Sequence, residues 1–123
     1  MNRDKLGKLT IEELVEGFVA IALEQDKALR HGQHAKYNRL FDQMETIKQE
    51  LQERTGDQRQ ALVALHSHPN ALVRLKSAIA TLALAPEAAQ RTLQAISERN
   101  EYPQAVYARD MISALDKGSY NSR

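Results

Sequence analysis

Apolar residues recur along this chain at steps of three and four, with charged residues filling the positions between, and that spacing lines up one face of an α-helix. No stretch alternates with a period of two, so an all-α fold is predicted. Thr10 with Glu13 fits a capping box, and the helix behind it is expected to run to about Arg30 with Ile11, Leu14, Phe18, Ile21 and Ala22 facing inward. His31 and Gly32 end it. Gly17 inside that helix costs about 1 kcal/mol relative to Ala, so a close approach by a neighbouring helix is expected there. A second helix, about Gln33 to Arg54, sets Tyr37, Leu40, Met44, Ile47 and Leu51 in a narrow seam that Phe41 widens toward ordinary bundle packing. The seam is short for a coiled coil, yet it is where a homodimer would form.

Beyond Thr55, Gly56 and Asp57, which supply a stop and the next cap, the elements shorten. A third helix is expected over about Gln58 to His66 with Ala61, Leu62 and Leu65 inward. The fourth covers about Ala71 to Leu84, with Asn70 as its N-cap and Leu72, Leu75, Ile79 and Leu82 inward. Pro86 separates it from a fifth, near Glu87 to Glu98, that buries Ala89, Leu93 and Ile96. The sixth runs from Pro103 to about Asp116 and offers Val106, Ala108, Ile112 and Leu115. A length of 123 residues is that of one domain. Residues 10–117 are therefore expected to form a single helical domain, with 1–9 and 118–123 as flexible ends.

Two of these stretches look alike. In HPNALVRLKSAIATL and EYPQAVYARDMISAL a proline follows a helix and a polar turn, then leads through an alanine into a new amphipathic helix. The first resembles the second half of a HEAT repeat, whose D-P-x-x-x-V-R turn precedes a helix of small residues; Pro69, Val73, Arg74, Ala78, Ala80 and Leu82 stand at the matching places. The second keeps Pro103 and the apolar spacing but lacks the V-R pair. From Leu14 to Leu115 the order of FVAIALEQDKAL, YNRLFDQMETIKQEL and GDQRQALVALHSHPNALVRLKSAIATLALAPEAA resembles a small uncharacterised bacterial domain family, a domain of unknown function. That resemblance implies a HEAT-like α-α superhelix, a right-handed solenoid of about six helices. It implies no activity, although the genetic surroundings of some members point to toxin immunity. His68 stands where the repeat has its acidic turn residue, so Arg74 is left to Asp57, to solvent or to a partner.

Composition narrows the chemistry. Apolar residues make up 42% and charged residues 27%, the balance of a folded globular chain rather than a disordered one. No apolar run approaches the roughly 20 residues needed to cross a bilayer. The start, MNRDKLGKLTIEEL, has no secretory h-region, so a cytoplasmic location without membrane contact is expected. Cysteine is absent, which removes thiol nucleophiles and thiolate metal sites. A net charge of +1, spread evenly, gives no basic stripe for nucleic acid.

His66 and His68 at i, i+2, and His31 and His34 at i, i+3, both miss the i, i+4 geometry of H-E-x-x-H; turn and helix-end roles are expected instead of a metal site. Glu12, Glu13, Glu16, Asp42 and Glu45 sit beside Lys or Arg on polar faces, where nothing desolvates them. Ser67, Ser77, Ser97 and Ser113 lack a G-x-S-x-G elbow, and the five glycines form no phosphate loop. No catalytic residue, metal or cofactor is expected, and the chain is read as a non-enzyme. The leading expectation is a protein-protein interaction module of adaptor or toxin-immunity type. Its partner would lie on a concave face lined by Arg74, Lys76, Ser77 and Thr81, with Tyr102 and Tyr107 as aromatic anchors. Against this, Tyr37 and Tyr107 could simply fill core. The alternative is a nucleic-acid-binding or DNA-glycosylase-like HEAT domain, which the lack of Trp and of a charged groove disfavours.

Overall fold

The capping box forms as its two side chains dictate. Thr10 Oγ accepts from the Glu13 N–H at 3.0 Å, and Glu13 Oε1 accepts from the Thr10 N–H at 2.9 Å. The computed structural model describes residues 3–118 and 120. Their fold is all-α: helices α1 (Arg3–Leu6), α2 (Ile11–Arg30) and α3 (His34–Glu53), a 3-10 helix (Gln58–Ser67), then α4 (Ala71–Ala80), α5 (Pro86–Glu98) and α6 (Gln104–Asp116). No strand occurs among the described residues. The chain forms two compact units, residues 1–61 and 62–123.

In the first unit α2 and α3 pack together as a helical hairpin. The turn between them places Gly32 at φ +65°, a left-handed conformation that glycine adopts without steric cost. Leu14, Phe18, Ile21 and Ala22 are buried on α2, and Met44, Ile47 and Leu51 on α3. Gly17 meets its expected neighbour, since a Cβ built there would lie 3.2 Å from Ile47 Cδ1. Phe41 departs from expectation: it is exposed, so it does not widen the buried stripe. Met44, Ile47 and Leu51, three residues of the seam from Tyr37 to Leu51, are buried. Residues 3–6, within the stretch expected to be a flexible end, make one helical turn with Leu6 buried. Arg54 holds that turn by donating to the Leu6 and Leu9 carbonyls at 3.0 and 2.7 Å while its Nε donates to Glu50. Most of the other expected flexible end, positions 119 and 121–123, lies outside the described residues.

The segment 58–67 is a 3-10 helix instead of the expected α-helix. Its buried positions, Arg59 and Leu62, are three apart, the spacing that eclipses side chains in a three-residue turn. Asp57, at φ +50°, begins it and accepts from the Arg59 side chain at 2.9 and 2.7 Å.

In the second unit α4 packs on α5 and α6, and α5 packs on α6. Asn70 caps α4 through Oδ1, which accepts from the Leu72 and Val73 N–H groups. The helix stops at Ala80, short of the expected Leu84. The chain turns over residues 81–84 and leaves helical geometry at Ala85, with φ −137° and ψ 63°, because the Pro86 ring disfavours the helical region for the residue before it. Helix α6 buries Ala108 as expected, but Gln104 and Ala105 are buried beside it in place of Val106, which is exposed, and Ile112 and Leu115 are half-buried. The alanines permit the closer helix approach, so the face that carries them turns inward.

Candidate binding cleft

Helix α5 buries Ala89, Leu93 and Ile96 on one side. The helical period therefore puts Ala88, Arg91, Thr92, Ala95 and Arg99 together on an adjacent face. That face forms one wall of an open cleft of about 650 Å³ in the second unit. The end of the 3-10 helix and the following turn form the other wall, with His66, Ser67, His68 and Pro69, and Arg74 reaches it from α4.

Arg74 is only 8% exposed and is fully engaged. Its Nη1 and Nη2 donate to the two carboxylate oxygens of Glu101 at 2.8 and 2.7 Å. Nε donates to the His68 carbonyl at 2.8 Å and Nη2 to that of Pro69 at 3.3 Å. One guanidinium thus ties the turn before α4 to the connection between α5 and α6. The hydrogen bonds from Arg74 hold the Glu101 carboxyl below its usual range, with the Arg99 charge adding to the effect; the same bonds push the Arg74 guanidinium up. Asp57, the alternative partner weighed for Arg74, is paired with Arg59.

The histidines are turn residues with assigned hydrogen bonds. His68 Nδ1 accepts from the Asn70 N–H at 3.0 Å, so the neutral ring carries its proton on Nε2. His66 Nε2 lies 2.9 Å from Thr81 Oγ, whose hydroxyl donates to the Ser77 carbonyl, so Nε2 is the donor to Thr81. Burial lowers the His66 pKa below its ordinary value. Among the described residues no three His, Asp or Glu side chains gather to hold a metal ion.

The remaining cleft cations, Arg91 and Arg99, are exposed, and neither guanidinium makes a hydrogen bond or a salt bridge to a described residue. Among the described residues no carboxylate lines the cleft. Its chemistry is that of a donor array: guanidinium groups, an imidazole N–H and a serine hydroxyl, all suited to an anion.

The structure separates the residues expected to line one face. Ser77 and Thr81 are fully buried, Arg74 nearly so and Lys76 half-buried, because α4 is enclosed almost all round. The expected outward presentation of Arg74, Ser77 and Thr81 is therefore corrected. Ser77 Oγ donates to the Arg74 carbonyl, a role internal to the helix. Tyr102 and Tyr107 are exposed, at 59% and 46%, so Tyr107 does not fill core. Arg109 lies 5.6 Å from the Tyr102 ring centroid and donates to its hydroxyl at 3.1 Å. Arg91 and Arg99 escaped the sequence reading because it followed only the buried line of α5. The signal was Ala88 and Ala95, small apolar residues off that line, which alternate with Arg91 and Arg99 at helical spacing.

The family described as Domain of unknown function (DUF2019) matches residues 12–116. The chain belongs to that family. As a DUF2019 protein it is similar to a solved structure, the protein RPA1889 from Rhodopseudomonas palustris CGA009. The two are 42% identical, the match covers 96% of this chain and 98% of that one, and the TM-score is 0.93. No curated protein matches the chain. Membership of DUF2019 carries no activity with it. Among the described residues no helix is long and apolar enough to cross a membrane.

Proposed function

We propose that this DUF2019 chain is a non-enzymatic, HEAT-like interaction module of the cytoplasm, of the adaptor or toxin-immunity kind, and that it binds a protein at the cleft of its second unit. One observation carries the reading: two exposed arginines, neither held in a salt bridge or side-chain hydrogen bond to a described residue, face a cleft whose described lining holds no carboxylate. Exposed cations of this kind steer and orient partners, whereas catalysis would call for an acid–base pair or an activated nucleophile. The test is a photo-crosslinker incorporated at Thr92 in the full chain, irradiated in the lysate of the native host. A single crosslinked protein, displaced by excess unmodified chain, is the expected result. Turnover of a small molecule by the purified chain, or crosslinking to nucleic acid alone, would remove the proposal.

A second reading, binding of nucleic acid, draws on the same arginines. It is weakened by the absence of Phe, Tyr and Trp from the cleft lining, which leaves bases without a stacking platform. A mobility shift at low salt that disappears as salt is raised would favour it.

A further inference from the structure

We infer that the cleft takes an acidic, extended segment of a partner protein, with Arg91 and Arg99 each receiving one carboxylate. This rests on the interaction-module reading and gives the partner a chemistry.

Arg91 on α5 and Arg99, its C-cap in helical conformation, are eight positions apart, which at 1.5 Å per residue places their backbone positions about 12 Å apart. A strand advances about 3.3 Å per residue and presents alternate side chains on one side, so residues four apart stand about 13 Å apart on the same face. Two acidic residues with three between them therefore match the arginine pair. Between the arginines Ala95 leaves room for a small apolar side chain at the middle of such a segment. Thr92 presents little polarity there, since its hydroxyl is spent on the Ala88 carbonyl at 3.0 Å. On the opposite wall the His68 Nε2–H and the exposed Ser67 hydroxyl are placed to meet peptide carbonyls.

Arg74 contributes differently. Glu101 already neutralises it, so it shapes the cleft and leaves recognition of charge to Arg91 and Arg99. Guanidinium forks suit carboxylates and phosphates alike. The spacing of about 12 Å between the two arginines and the lack of Phe, Tyr and Trp in the described lining favour the peptide over a single phosphate group or a nucleic acid strand.

The experiment is a display library of random decapeptides selected against the immobilised full chain, run in parallel on the double variants Arg91→Gln/Arg99→Gln and Arg91→Glu/Arg99→Glu. Enriched peptides should carry Asp or Glu pairs four positions apart. They should bind at least tenfold more weakly to both variants, whose circular dichroism and thermal midpoint should match the parent. A consensus without acidic residues, or one that both variants bind as well as the parent does, overturns the assigned chemistry while leaving the interaction module standing. Failure to enrich any peptide counts against the module itself. Displacement of selected peptides by inorganic phosphate or a thymidine oligonucleotide at lower concentration than by free acidic peptide would give the cleft to a phosphate ligand and overturn the inference.

Discussion

Arg74 shows how far one side chain can be read without its neighbours. The sequence marks it as an arginine deprived of the usual acidic turn residue, and the structure supplies Glu101, on the connection between α5 and α6. Replacing Glu101 with Ala should lower unfolding free energy by about 2 kcal/mol, since it leaves a nearly buried guanidinium with carbonyl partners only. Urea denaturation measures this, and a loss below about 0.5 kcal/mol would show the pair to be incidental. Gln25 presents the opposite case. It is completely buried on α2, and neither atom of its side-chain amide finds a hydrogen-bond partner among the described residues. Gln25→Met keeps the shape and removes the desolvated amide, so stability should rise by about 1 to 2 kcal/mol. A fall of that size would mean the amide is satisfied in solution, as by a buried water. Nothing in the sequence distinguishes Gln25 from the polar residues around it.

Elements were legible where their signals are local. Thr10 and Glu13, Asn70, Gly32 and Pro86 begin or end helices within a residue or two of where their own chemistry sets the boundary. Legibility failed where a neighbouring element decided the outcome. Segment 58–67 has the composition of an α-helix and winds as a 3-10 helix, while α6 turns Ala105 inward in place of the larger Val106. Gly17 lies between these cases, since a glycine inside a helix announced a close helix contact whose partner, Ile47, only the packing specifies. Gly17→Ala should be nearly neutral alone, because the helix propensity gained is offset by crowding against Ile47 Cδ1. In the Ile47→Val background that atom is gone, and the same change should be stabilising. A double-mutant cycle should give a favourable coupling of at least about 0.5 kcal/mol, and strict additivity would contradict the contact.

At the scale of the whole molecule, pH reports on several of these sites together. His66 has a lowered pKa because burial disfavours its charged form. Glu101 and Asp57 have lowered values because Arg74 and Arg59 hydrogen-bond their charged forms. All three therefore bind protons more weakly folded than unfolded. Their stabilisation is complete above the unfolded values and is lost as pH falls. Unfolding free energy should be level above about pH 6.5, decline as His66 protonates, and decline again below about pH 4.3 as the two carboxylates do. His66→Gln should flatten the first limb and Glu101→Gln should shrink the second; a stability that rises on acidification would contradict both assignments. The sequence by itself determined an all-α chain, most helix boundaries and the want of any catalytic motif, because periodicity, caps and prolines act within a turn or two of their own position. Tertiary structure alone decided that Ala105 rather than Val106 is buried on α6, that Arg74 is a structural clamp, and that Arg91 and Arg99 share a cleft with His66 and His68. Burial and charge pairing depend on distances between residues far apart in the chain, and helix packing sets those distances.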